Sequence, residues 1–148
     1  MVKRTTTEYI GYALGVGTAG LAVAQMVSFE EFVEALQQYH VATYGWTVAL
    51  GLLLIGLAVG AVPFLLKVRL HKIAWAFSAI CVLLLPLAWT LMTVLAMMLD
   101  RTVGNAGYLG GFVDVPVGGF VLVLDLLWLA ISWLWFGKIG GKQAMRIS

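Results

Sequence analysis

Charge is scarce in this chain: 11% of its 148 residues are Asp, Glu, Lys or Arg, while 62% are hydrophobic. A soluble domain carries about 25% charged residues, so a chain this poor in charge cannot clothe a water-facing surface. Cysteine occurs once, as Cys81, which excludes an internal disulfide, a CxxC pair or a Cys-rich metal site within one chain. Lying in an apolar run, it reads as a small core residue with an inert sulfur. The two histidines, His40 and His71, are too far apart in sequence to form an i, i+4 pair for haem or zinc. Nine Lys and Arg residues in short groups, with a net charge of +2, leave no continuous basic stripe, so nucleic acid is excluded as a partner. No nucleophile and histidine set falls on one side of the membrane, and the glycines of 104–119 lack the Lys-Ser/Thr of a phosphate cradle.

What the chain does have is hydrocarbon. Its mean hydropathy is +1.00, and four runs, roughly 9–27, 43–66, 73–99 and 117–136, approach or exceed the 20 or so helical residues that cross a bilayer. These residues predict an all-α membrane protein: a single four-transmembrane-helix bundle over 1–148. Ala22-Val23-Ala24 before Gln25 has the look of a signal cleavage site, but the first run is read as a retained span. Of the nine basic residues, Lys3, Arg4, Lys67, Arg69, Lys72, Lys138, Lys142 and Arg146 fall on one side of this layout and Arg101 on the other. The positive-inside rule then places both termini in the cytoplasm. Glu30, Glu31, Glu34, Asp100 and Asp114 occupy the outward loops.

Gly11-xxx-Gly15 and Gly56-xxx-Gly60 let helices approach closely within the bundle. Pro63 and Pro86 are expected to kink the second and third spans, and Pro116 to open the fourth.

The most polar segment, 28–40, reads SFEEFVEALQQYH. Ser28 followed three residues later by Glu31 has the form of a capping box. Phe29, Phe32, Val33 and Leu36 then recur at i, i+3, i+4 and i+7, which makes one apolar stripe opposite Glu30, Glu34, Gln37 and Gln38. About a dozen residues span only some 18 Å, too short to cross, so a short amphipathic helix in the outer interface between the first two spans is predicted. Its stripe packs against the bundle or a partner. The three glutamates read as a solvated face, and His40 as an interfacial residue; no metal site is expected.

Asp125 is the acid within a span. It is placed about nine residues, or 13 Å, into the fourth span, close to mid-bilayer. There a carboxylate must face the bundle interior and find a donor. Gln25, Thr18, Tyr12, Ser78, Thr90 and Thr93 are the available hydrogen-bonding residues. A structural role is expected, with Asp125 kept as the leading candidate for an intramembrane site.

The order of elements resembles the DoxX and MauE superfamily of small membrane proteins. The resemblance rests on the Phe29, Phe32, Leu36, Tyr39 pattern after the first span. It rests also on the Gly-rich loop Asn105-Ala106-Gly107-Tyr108-Leu109-Gly110, then Val115-Pro116-Val117 and the later Asp125. Where MauE-type loops carry two cysteines, this chain has Ala106 and Tyr108, so the dithiol chemistry does not carry over. What the resemblance implies is a non-catalytic subunit or assembly factor of a redox-related complex in a bacterial or archaeal cytoplasmic membrane. Partner docking would fall to Phe29, Phe32, Val33, Leu36, Tyr39, Asn105, Gly107, Tyr108 and Gly110, with the lipid bilayer and other membrane or periplasmic subunits as partners and no cofactor of its own. The alternative is a DoxX-like, quinone-interacting oxidoreductase subunit in which Asp125, Tyr39 and His40 form a proton route. A small transporter comes third, because four spans without repeated halves leave little room for a path.

Overall fold

A computed structural model describes residues 6–40 and 43–147, with side chains over 9–40 and 43–137. Lys3 and Arg4, and the side chains of Lys138, Lys142 and Arg146, which carry much of the expected topology, lie outside the described residues. Five α-helices follow one another: α1 (Thr6–Val27), α2 (Phe29–Gln38), α3 (Tyr44–Leu65), α4 (Lys72–Met98) and α5 (Gly119–Ile147). Four of them are long and apolar enough to cross a membrane, over Tyr9–Val27, Tyr44–Leu65, Lys72–Met98 and Gly119–Gly137. The chain is thus a multi-pass, all-helical membrane protein with a short helix between its first two spans.

The outward faces fit lipid as the solvent. Val16, Val23, Leu52, Leu91, Phe120 and Leu134 are all exposed, an arrangement that water would penalise and hydrocarbon does not. Trp46, at the start of α3, stands exposed among them, whereas Trp89 and Trp135 are buried as packing residues.

Within the bundle α3 is central, touching α1, α2 and α4, and α5 leans on α4. Small residues set the close approaches. A Cβ at Gly15 would lie 2.7 Å from Leu66, and one at Gly60 would lie 2.9 Å from Cys81 Sγ. Gly11, Gly15 and Gly60 therefore serve packing inside the chain, as expected, while a Cβ at Gly56 would meet nothing within 4 Å.

Helices α3 and α4 run on through Pro63 and Pro86. Beside Pro63 the hydroxyl of Ser78 on α4 accepts from the Phe64 N–H at 3.0 Å and donates to the Gly60 carbonyl. It occupies both ends of one i to i−4 step of α3, where the proline ring crowds the ladder.

Three non-glycine residues, His40, Lys67 and Asp100, adopt positive φ. Two of them close Schellman motifs. Val68 N–H reaches Pro63 O and Lys67 N–H reaches Phe64 O; likewise Arg101 N–H reaches Ala96 O and Asp100 N–H reaches Met97 O. These bonds satisfy the last carbonyls of α3 and α4 before the chain turns.

Two expectations about helix starts need correction. Ser28 does not cap α2: its hydroxyl donates back to Ala24 O at 2.9 Å and accepts from the Gly111 N–H at 3.0 Å. With Ser28 N–H on Ala24 O and Phe32 N–H on Ser28 O, α1 and α2 meet at a single-residue joint, so Ser28 has no free helix start to serve. Pro116 does not open α5 either, because the Val117 N–H is held by Val103 O at 2.9 Å and the helix begins only at Gly119.

Candidate functional site

The loop between α4 and α5 folds inward, over the mouth of the bundle formed by the ends of α1, α2 and α4. Local chemistry explains its shape. Asn105 donates from Nδ2 to Gly110 O and to Asp114 Oδ1, both at 3.0 Å, while its Oδ1 accepts from the Gly107 N–H at 2.8 Å. The side chain thereby closes a turn that backbone alone would leave open. Gly107 and Gly110 take φ of +80° and +60°, conformations that glycine adopts at no steric cost. At Gly110 a Cβ would sit 1.9 Å from Ser28 Oγ, so this is a close approach as well as a turn.

The loop is then latched to every neighbour. Gln38 Oε1, at the end of α2, accepts from the Gly104 N–H at 2.8 Å and the Asn105 N–H at 3.4 Å. From α1, Gln25 Nε2 donates to Tyr108 O at 3.1 Å and reaches Gly107 O at 3.5 Å. Tyr39 donates its hydroxyl to Ala106 O at 3.2 Å, and its own carbonyl accepts from Arg101 at 3.2 Å. Each bond satisfies a backbone group that a membrane-facing loop could not leave bare.

At the centre the Tyr108 phenol inserts against Trp89, with ring centroids 4.6 Å apart at 53°. Phe32 tilts against the far side of the cluster, 6.4 Å from Trp89. The Tyr108 hydroxyl donates to Asp125 Oδ1, and Thr93 donates to Asp125 Oδ2 at 2.7 Å. Asp125 is 1% exposed and Thr93 fully buried. Each carboxylate oxygen thus has a hydroxyl donor from a different element, so the buried acid is paired on both sides.

The expected depth of Asp125 requires correction. Because α5 starts at Gly119, the residue lies six positions, or about 9 Å, from the helix start. That is toward the end that carries the α4–α5 loop, within reach of a loop side chain.

The residues assigned to docking occupy two layers. Phe32, Val33, Leu36 and Tyr39 are buried against the bundle, and Phe29 is half-buried; over Gly51 of α3, Leu36, Phe32 and Phe29 approach to 3.4–3.6 Å of where a Cβ would be. Asn105, Gly107 and Gly110 are buried within the loop and Tyr108 half-buried. What faces outward is the polar side of α2, with Glu30, Glu31 and Glu34, and the loop tip Phe112-Val113.

Of the hydrogen-bonding residues named as possible partners of Asp125, Thr93 reaches it. Gln25 holds the loop, Ser78 serves α3, and Thr90 donates back to Pro86 O at 2.8 Å. The missed partner is Tyr108, which the α4–α5 loop carries to Asp125. His40 stands exposed with Nδ1 2.8 Å from Gln38 O, and the Tyr39 hydroxyl is bonded to Ala106 O. Neither is hydrogen-bonded to Asp125 among the described residues.

Burial pushes the Tyr39 phenol well above the ordinary tyrosine range, reinforced by the nearby Asp125 charge. Tyr108 is raised further still, first by burial and then by its bond to Asp125. Both therefore act as hydrogen-bond donors across neutral pH. Among the described residues no three His, Cys, Asp or Glu come together to hold a metal ion. No protein-family model matches the chain, and neither does any curated protein or solved structure.

Proposed function

We propose that the chain is a non-catalytic membrane subunit or assembly factor that presents a rigid outward face to a neighbouring protein of a membrane complex. The observation that carries this reading is the connectedness of the internal latch: Asn105, Gln38, Gln25, Tyr39, Tyr108 and Asp125 all serve to fix one loop over the helix ends. A loop fixed this way loses little entropy on docking, which favours binding through its outer surface. Phe112, 63% exposed, and Val113, with Glu30, Glu31 and Glu34 alongside, supply that surface. The similarity of the element order and of the Gly-rich loop to the DoxX and MauE superfamily supports a redox-related complex in a bacterial or archaeal cytoplasmic membrane, with both termini in the cytoplasm.

Gentle extraction of the tagged chain tests the reading. A stoichiometric partner should co-purify, and Phe112→Asp should reduce its recovery while the chain itself accumulates normally. Recovery of the chain alone, with turnover of a quinone analogue abolished by Asp125→Asn, would replace this reading with the quinone-interacting one, for which the Tyr108–Asp125 pair is the supporting observation. Cysteines placed at positions 70 and 142 should label from the cytoplasm and those at 37 and 113 from outside; the opposite pattern inverts the topology.

A further inference from the structure

Helix α1 carries glycine on two faces, and packing within the chain uses one of them. Gly11 and Gly15 face the bundle, where an added Cβ would strike Trp135 or Leu66. Ala13, Gly17, Gly20 and Ala24 recur at i, i+4, i+7 and i+11. At about 100° per residue they gather within about 60° of arc on the opposite side. A Cβ at Gly17 or Gly20 would meet nothing within 4 Å. Small residues at this spacing let a second backbone come close, yet among the described residues none does so there.

The stripe borders a cavity of 560 Å³ between α1 and α5, lined by Ala13, Gly17, Leu21, Leu124, Trp128 and Ile131 among others. Because α5 leans on α4, this side of α1 stays open. Within the most apolar windows of the spans, 28% of α1 and 22% of α5 are buried inside the chain, against 39% of α3 and 50% of α4. The two helices that flank the cavity therefore have the most surface left to cover. Thr18 also lines it. This residue is 3% exposed and is the central one of the Tyr9–Val27 span, which places it at mid-bilayer. Thr47 and Thr90 donate to carbonyls four residues earlier, whereas Thr18 has no hydrogen-bond partner among the described residues. Acyl chains offer no acceptor at that depth, and a helix backbone does.

We propose that this seam is a self-association surface, in which α1 of a second copy seats in the cavity and the two copies form an isologous pair. Copies with one topology are related by an axis along the membrane normal, so the two α1 helices run parallel and level. Each Gly17 then bares the carbonyls of its turn beside the partner's Thr18, which supplies the missing acceptor. One stripe and one open hydroxyl at the same depth make the seam its own complement. Each copy offers two spans of 19 residues, about 28 Å long and together about 20 Å wide. The pair thus buries roughly 1,100 Å², above the 1,000 Å² or so that a specific interface needs. The surface lies within the membrane, and does not depend on the outward face proposed for docking.

Counting photobleaching steps of the labelled full chain in phosphatidylcholine vesicles, as protein is diluted into lipid, tests the proposal. Two-step spots should give way to single-step spots at high dilution. Gly17→Leu should raise the dissociation constant about tenfold or more, and Gly56→Leu, at an equally open glycine of α3, should leave it unchanged. Thr18→Val should raise it about threefold for each lost bond, roughly eightfold for the pair. In membranes a Gly17→Cys chain should cross-link to a second copy on oxidation and a Gly56→Cys chain should not; Cys81 is buried and common to both. Single steps at every dilution would overturn the proposal, as would association unaffected by Gly17→Leu or by Thr18→Val. So would equal losses from Gly17→Leu and Gly56→Leu, or a Gly17→Cys chain that cross-links to a different protein in place of its own copy.

Discussion

The two ends of this bundle solve the same problem by different means. On the side of the α3–α4 turn, shape dominates: Phe64, Leu65, Ala79, Cys81, Val82 and Trp135 pack as one apolar group, and the Ser78 hydroxyl serves the α3 backbone beside Pro63. On the opposite side, around the α4–α5 loop, apolar residues such as Phe32, Leu54, Trp89 and Met92 are overlaid by a connected set of hydrogen bonds that joins α1, α2, α4 and α5. Irregular backbone is what makes the difference. A short turn closed by Schellman bonds satisfies itself, whereas a loop of some twenty residues at membrane depth needs side chains to do so. Specificity is therefore concentrated at the loop end, and bulk packing at the other.

Substitutions at four positions test that contrast. The largest effect is expected from Phe32→Ala, since Phe32 is fully buried between α2, Gly51 and Trp89; truncating such a ring costs about 3–5 kcal/mol. Thermal unfolding in detergent should show it, and proteolysis should open the α4–α5 loop before the α3–α4 turn. A uniform loss of protection at both ends would break the distinction.

Next comes Asp125. Replacement by Leu strands the Thr93 and Tyr108 hydroxyls at about 1–3 kcal/mol, whereas Asn retains an acceptor and should be tolerated. Assembly and complex activity, measured separately, distinguish a structural acid from a protonic one. An Asn variant that assembles fully and loses all turnover would overturn the structural role.

Ser78→Ala should cost about 1 kcal/mol and leave loop protection untouched, because no bond links Ser78 to the loop among the described residues. Loop opening in this variant would show that the two ends are coupled.

The smallest thermodynamic effect at neutral pH is expected from Tyr108→Phe, which removes one donor. Its sharper readout is alkaline. With the folded phenol raised above its unfolded value, the bond contributes fully below the unfolded value and is lost as pH climbs through the folded one. Absorbance titration of the folded chain should therefore show no difference between the original and Tyr108→Phe around pH 10, where a free phenol ionises. A difference of one phenolate there would place Tyr108 in water.

The spans were legible in the sequence to within about two residues at either end, because apolar run length is a sufficient signal when lipid is the solvent. The short helix was legible too, since the period of Phe29, Phe32, Val33 and Leu36 leaves one choice of buried face. Asp125 stood out as an acid among hydrocarbon. Its partners did not. Thr93 was one of six hydrogen-bonding residues, and nothing in helical periodicity separates them without knowing how α4 turns toward α5. Tyr108 was hidden for a different reason: its approach to Asp125 depends on the positive φ of Gly107 and Gly110 and on the Asn105 turn, a path that no repeat pattern encodes. The Ser28 capping box misled because the same hydroxyl had two competing claims, Ala24 O and Gly111 N–H, and serine back-bonding within a continuing helix meets the first at no cost in chain reach.

The acceptor at the centre of the latch belongs to α5, which is made after every other part of the latch. Thr93, Gln25 and Tyr108 are all made before Asp125, so a nascent chain that has inserted only three spans holds the Tyr108 phenol and the Thr93 hydroxyl without their acceptor. Completion of the latch consequently waits for α5, and it reports that α5 has entered in register. Chains halted before residue 119 should expose the 104–118 loop to protease, and completed ones should not. Protection already present in the halted chains would mean that the mouth closes without its acid.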